Sequence, residues 1–184
     1  MHGTEAVSPW IERWAHLVPE RASVLDVACG HGRHARFFAQ RGCAVTGVDR
    51  DAGALQALRG LAQTVHADIE NGPWPFAGRA FDAVVVTNYL WRPLLPAIVA
   101  AVAPGGVLLY ETFAAGNEAF GKPSRPDFLL QPGELLRACA GLEVVAYEHG
   151  RLENPARVVQ RIACCGKTRG LQSLESAIPG EKIS

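Results

Sequence analysis

Five short apolar runs, each closed by a polar residue at nearly even spacing, constrain the fold of this chain more than any other feature. The runs cover residues 23–27, 44–48, 64–67, 81–86 and 106–112, and are rich in Val, Ile and Leu. Between them, residues 34–41, 52–61 and 94–103 read as helices, with Gly42 placed as a C-terminal cap and Pro104-Gly105-Gly106 as a stop. Short buried strands alternating with helices predict βαβ units around a parallel sheet with helices on both faces. The polar residues that close the runs are Asp26, Asp49, Asp68, Asn88 and Glu111, at intervals of 23, 19, 20 and 23 residues. In an open parallel sheet such ends lie side by side and border a ligand crevice, so one ligand can touch all five.

The order changes after the fifth run. Residues 114–127 hold Gly116, Gly121, Pro123 and Pro126 and read as a long loop, followed by a helix from Pro132 to about Ala140. Two β-like runs, 142–148 and 156–164, are joined by too few residues for a crossover helix, so they pair antiparallel. The expectation is an α/β, Rossmann-like, doubly wound sheet of seven strands, mostly parallel with an antiparallel last strand. It fills one domain, residues 1–165, and the polar stretch 166–184 reads as a loose tail. A helix around residues 9–17 carries Trp10 and Trp14 and is expected over the sheet edge or the site.

Eighteen basic residues balance eighteen acidic ones, which argues against nucleic acid or an anionic membrane as partner. The longest apolar stretch, 94–102, is broken by Pro96 and falls far short of the roughly 20 residues a bilayer requires. The N-terminus lacks the pattern of a secretion signal, so a cytosolic setting is expected. Five cysteines without a CxxC pair or zinc-type spacing read as buried thiols and give no metal site; a redox role for the vicinal Cys164 and Cys165 is the alternative.

The most informative segment is Val24-Leu25-Asp26-Val27-Ala28-Cys29-Gly30-His31-Gly32-Arg33-His34, a strand, a glycine turn and a helix start. Gly30 and Gly32 permit close backbone approach to a ligand, although such a turn also occurs without one. Asp49, at the end of the second strand, is placed to accept hydrogen bonds from ribose hydroxyls, with Asp51 the better-placed cap for the helix that follows.

The motifs VLDVACGHGRHA, VTGVDRD, HADIE, FDAVVVTNYLWRPLL and VAPGGVLLYETF occur in that order between Val24 and Phe113. Together they resemble the class I S-adenosylmethionine-dependent methyltransferases. The resemblance implies that the backbone of Ala28, Cys29, Gly30 and Gly32 passes the methionine part of the cofactor, with Asp26 near its amino group. It implies that Asp49, with Arg50 beside it, holds the ribose diol, and that Asp68 and the Ile69 N–H meet the adenine. Thr87, Asn88 and Tyr89 would close over the sulfonium side, and S-adenosylhomocysteine would be the product. Thr87-Asn88-Tyr89-Leu90 departs from the Asn/Asp-Pro-Pro-aromatic signature of enzymes that methylate exocyclic base or amide nitrogens. The stretch GKPSRPDFLLQPGELL, residues 121–136, is similar to tellurite-resistance-type and related small-molecule methyltransferases.

On this reading the acceptor is a small molecule. Trp10, Trp14, Trp91, Arg92, Phe113 and Asn117 are the candidate acceptor-binding residues, with Trp10 and Trp14 as a lid. Tyr89 and Trp91 can face a sulfonium. Arg33, Arg36 and Arg92 offer cations to an anionic acceptor, while isolated helix arginines are more often solvated or paired. A base, where one is needed, comes from His34, Tyr110 or Glu111. Two alternatives stay open: a non-catalytic module that binds the same cofactor, and a nicotinamide-dependent oxidoreductase suggested by Gly30-x-Gly32-x-x-Ala35.

Overall fold

The computed structural model describes residues 6–167. Seven strands form one sheet: β1 Ser23–Val27, β2 Ala44–Asp49, β3 Gln63–His66, β4 Phe81–Thr87, β5 Val102–Phe113, β6 Glu143–Leu152 and β7 Arg157–Cys165. Their order is β3-β2-β1-β4-β5-β7-β6. All neighbours pair parallel except β7, which runs antiparallel to both β5 and β6. The helices are α1 Pro9–Trp14, α2 Arg33–Gln40, α3 Ala52–Leu55, α4 Leu95–Ala100 and α5 Glu134–Ala138. The expected doubly wound architecture is present.

Strand alternation splits the core into two layers. Leu25, Val27, Val84, Val86, Leu108, Tyr110 and Ile162 face α4 and α5, whereas Val24, Val85, Leu109 and Ala163 face α1 and α2. The odd-numbered end residues of β4, β5 and β7 therefore point to the α1–α2 side, and so does Asp26, whose register partners are Gly47 and Val85.

Several boundaries move. α4 ends at Ala100 rather than Ala103, because Val102 already pairs with Phe81 and residues 103–106 form an irregularity inside β5. The helix expected over 52–61 is one short α-turn followed by the 3-10 turn Gln56–Leu58, as Gly53 and Gly60 weaken it. Pro132 precedes α5 instead of opening it, with the left-handed Gly133 at the cap. The β6–β7 hairpin extends further than expected, pairing as far as Leu152 with Arg157. Gly166, placed in the tail by sequence, is buried and donates to the Gly106 carbonyl at 2.9 Å. The rest of that expected tail, 168–184, lies outside the described residues.

Trp10 and Trp14 form no lid. They lie in the α1–α2 layer of the core, 1% and 3% exposed, edge to face with centroids 5.7 Å apart. Trp10 also donates its indole N–H to the Ile162 carbonyl at 3.3 Å. The Ser8 hydroxyl accepts from Trp10 N–H and caps this helix, with Pro9 in its first turn. Trp10→Ala is expected to cost about 3–5 kcal/mol of unfolding free energy, the range for emptying a buried aromatic site. Urea titration checks this; a change below about 1 kcal/mol would return Trp10 to the surface role.

Candidate functional site

The turn after β1 crosses to β2 and is stapled there. Cys29 N–H donates to the Val48 carbonyl at 3.0 Å, Gly32 N–H to the Cys29 carbonyl at 2.8 Å, and Gly30 N–H to Asp49 Oδ2 at 2.7 Å. Three residues of this turn hold positive φ: Ala28 at 52°, Gly30 at 54° and Gly32 at 75°. The two glycines serve different ends. A Cβ on Gly32 would strike the Leu58 side chain at 2.3 Å, so Gly32 answers to packing. A Cβ on Gly30 would meet nothing within 4 Å, so the backbone there borders open space. Ala28 and, at the end of the neighbouring β4, Asn88 with φ 54° are non-glycine residues in the left-handed region. Such strain gathers where a backbone is shaped for a ligand.

Around this turn stand the acids. Asp26 is 2% exposed and accepts from the Ala35 N–H at 3.0 Å. Burial pushes its carboxyl up to about 7, against the pull of that hydrogen bond and of Arg33. Asp49 is half-buried; besides Gly30 it accepts from Asp51 N–H at 2.9 Å, and Asp51 in turn caps α3 through Gly53 and Ala54. Capping is thus done by Asp51, leaving Asp49 facing the crevice. Asp68, beyond β3, is exposed and gathers the Asn71 side chain and the Glu70 and Asn71 N–H groups, which hold its carboxyl below the usual range. Arg50, Asp51, Ala52, Gly53, His66, Ala67 and Asp68 line an open depression of about 760 Å³ beside Asp49. Ile69 anchors its wall in the core.

The β4 end is clamped from β5: Asn88 N–H donates to the Glu111 carbonyl at 2.9 Å, and the Tyr110 hydroxyl donates to the Tyr89 carbonyl at 2.8 Å. Asn88 itself is exposed. Tyr89 points away from the place sequence gave it. Its hydroxyl is buried toward Glu70 without a hydrogen bond of ordinary geometry, and burial together with the Glu70 and Asp68 carboxylates raises its phenol. It therefore belongs to the Asp68 end of the crevice. An orphaned phenol and the open face of Gly30 are features that a nucleoside-bearing ligand fits.

None of the three candidate bases is free. Tyr110 is 1% exposed in the α4–α5 layer, and burial drives its phenol up. Glu111 accepts from the Ser8 hydroxyl at 2.9 Å and pairs with Arg161 at 3.3 Å. His34 is 2% exposed, with Nε2 accepting from Ser8 N–H at 3.1 Å and Nδ1 3.3 Å from Thr87 Oγ1; burial pushes it down to about 3.

The acceptor-side candidates divide. Arg92 is consumed structurally, donating to Glu134 at 2.7 and 3.0 Å and to the Asp127 and Leu129 carbonyls at 2.8 Å. Asn117 is 2% exposed and folds the long loop, donating to the Pro123 carbonyl and accepting from Val158 N–H. Trp91 packs half-buried on the α4–α5 layer. Phe113 ends β5 opposite Val159, two residues beyond Glu111, and is half-buried. Sequence reasoning missed Ser8 and Arg161. Ser8-Pro9 is a legible helix start, but partners 26 and 103 residues away leave no local signal.

Asp26 and His34 oppose each other in pH dependence. From its ordinary 3.8 up to about 7, folded Asp26 keeps a proton that the unfolded chain has lost, so its contribution to stability falls as pH rises. From about 3 up to 6.5, folded His34 lacks a proton that the unfolded chain holds, so its contribution rises with pH. Relative to wild type, Asp26→Asn should gain stability with pH between 4.5 and 6 and His34→Gln should lose it, each by up to about 1.4 kcal/mol per pH unit. Urea titrations across that range check this; profiles parallel to wild type would contradict the assigned protonation states.

The sequence model of a methyltransferase-domain family matches residues 24–106, the span from β1 into β5. The malonyl-[acyl-carrier protein] O-methyltransferase of Serratia marcescens is 37% identical over 103 residues, 51% of this chain and 39% of that protein. The trans-aconitate 2-methyltransferase of Paracidovorax citrulli is 40% identical over 116 residues, 56% of this chain and 44% of that protein. The chain thus spans less than half the length of these curated relatives. The crystal structure of TehB from Haemophilus influenzae shares the fold, with a TM-score of 0.69 over 89% of this chain and 63% of its own, at 21% identity. The strand order, the stapled glycine turn and the sequence match agree in likening this chain to the class I S-adenosylmethionine-dependent methyltransferases, the family model spanning residues 24–106, under half of the chain.

Proposed function

We propose that this chain transfers the methyl group of S-adenosylmethionine to a small-molecule acceptor. The observation that carries the reading is the Gly30 turn: open in front, and fixed to the carboxylate of Asp49. When bound, the sulfonium supplies an already activated methyl group, and the protein supplies binding and orientation. Asp49 offers its remaining lone pairs to a ribose diol, with Arg50 at the rim. Ala28, Cys29 and Gly30 lend their backbone to the methionine chain, and Asp26 its carboxyl to the amino group. Asp68, Ile69 and Tyr89 border the adenine end, while Thr87 and Asn88 border the reacting end. His34, Tyr110 and Glu111 are all engaged, so the reading assigns no general base and makes positioning the main contribution.

The same geometry disfavours a dinucleotide. The Ala35 N–H near the start of α2, which would face a pyrophosphate, is given to Asp26.

Isothermal titration with S-adenosylhomocysteine tests the assignment. Asp49→Ala should weaken binding at least about tenfold, in keeping with hydrogen bonds to a charged group. Gly30→Ala should cost only about 1–2 kcal/mol of stability, the left-handed penalty for a Cβ in open space, yet lose most cofactor affinity. Unchanged affinity in both variants, or heat only with NAD, would contradict the reading. A screen with radiolabelled methyl donor against carboxylates, thiols, amines and phenols would then separate an enzyme from a module that only binds.

A further inference from the structure

One chain of hydrogen bonds leads from the N-terminal segment to the end of β4, and its direction is fixed. A backbone N–H can only donate, so the contact from Ser8 N–H makes His34 Nε2 a lone-pair nitrogen. Burial keeps the ring neutral near physiological pH, so its hydrogen sits on Nδ1. That hydrogen points at Thr87 Oγ1, 3.3 Å away, and occupies one of its lone pairs. The hydroxyl hydrogen of Thr87 is thereby turned elsewhere. Thr87 is half-buried, ends its strand, and pairs in register with Glu111, whose two oxygens are held by Ser8 and Arg161.

We infer that Thr87 is a hydrogen-bond donor of fixed polarity at the mouth of the crevice and reads a carboxylate oxygen of a bound ligand, with Ser8 and His34 as positioning residues. The inference rests on the methyltransferase reading. A carboxylate fits because it only accepts and, being charged, makes the stronger bond to the hydroxyl hydrogen that His34 leaves pointing elsewhere. It also needs no deprotonation, and the three candidate bases are engaged. Two sources share this chemistry, the amino-acid end of the cofactor and a carboxylate on the acceptor.

Nitrogen-15 spectra of the histidine rings test the polarity. His34 should show the Nδ1–H form, unchanged from pH 8 to 5; an Nε2–H form, or titration near pH 6.5, would overturn the inference. Isothermal titration then uses wild type, Thr87→Val and Thr87→Ser with S-adenosylhomocysteine and with 5′-methylthioadenosine, which lacks the amino-acid end. If the cofactor supplies the carboxylate, Thr87→Val weakens S-adenosylhomocysteine about tenfold, leaves methylthioadenosine unchanged, and Thr87→Ser restores binding. If the acceptor supplies it, both nucleosides bind as in wild type, while KM for a carboxylate found in the methyl-transfer screen rises about tenfold with less change in kcat. Unaltered S-adenosylhomocysteine affinity, with either an unaltered acceptor KM or a screen that yields no carboxylate, would overturn it. Failure of wild type to bind either nucleoside would instead sink the methyltransferase reading itself.

Discussion

The bond from Gly30 N–H to the Asp49 carboxylate is the constraint on which the rest of the site depends. It joins the turn after one strand to the end of the next, and so converts two separate chain segments into one rigid rim. The turn tolerates left-handed backbone at Ala28 because neighbouring contacts over-determine it: Cys29 N–H is tied to β2, and Gly32 is packed against Leu58. Asp49 would otherwise be a helix cap. Because Asp51 takes that task, Asp49 holds the turn with one oxygen and keeps capacity toward the crevice.

A second constraint runs across the sheet on the α1–α2 side. Thr87, Glu111, Arg161 and Glu148 are register partners on four adjacent strands, and Arg13 from α1 closes the row on Glu148. Glu111 and Arg161 are 7% and 16% exposed at the side chain. A buried ion pair gives little net stability once desolvation is counted, so its presence points to orientation rather than strength. Ser8 bonds both His34 and Glu111, and Trp10 lies under the Arg161 guanidinium at 4.9 Å. The N-terminal helix is therefore part of the wall of the crevice, through packing and polar contacts at once.

Much of this was legible in sequence because strand periodicity and turn chemistry are local. The five parallel strands, the antiparallel hairpin, the Asp51 cap and the crevice of strand-end acids follow from apolar runs and the residues that close them. What sequence could not supply was the destination of side chains. Trp10 and Trp14, four residues apart, suit a lid or a core equally well, and only their burial in the α1–α2 layer decides. Arg92 looks like a cation for an acceptor until Glu134, 42 residues away, is seen to hold it. Tyr110 sits beside Glu111 in sequence, yet strand alternation sends the two to opposite layers. The boundary at residues 103–106 failed for a related reason: a Pro-Gly-Gly stop ends a helix well, but the same residues also fit an irregularity inside a strand.

The central claim is that one adenosine-bearing molecule lies across the ends of β1, β2 and β4. A crystal structure grown with S-adenosylhomocysteine tests it most directly. The account predicts the ribose hydroxyls on Asp49, the methionine chain against the open face of Gly30, and the adenine between Asp68 and Tyr89. Ligand density elsewhere on the molecule, or a ligand in the crevice that leaves Asp49 and Gly30 untouched, would contradict it.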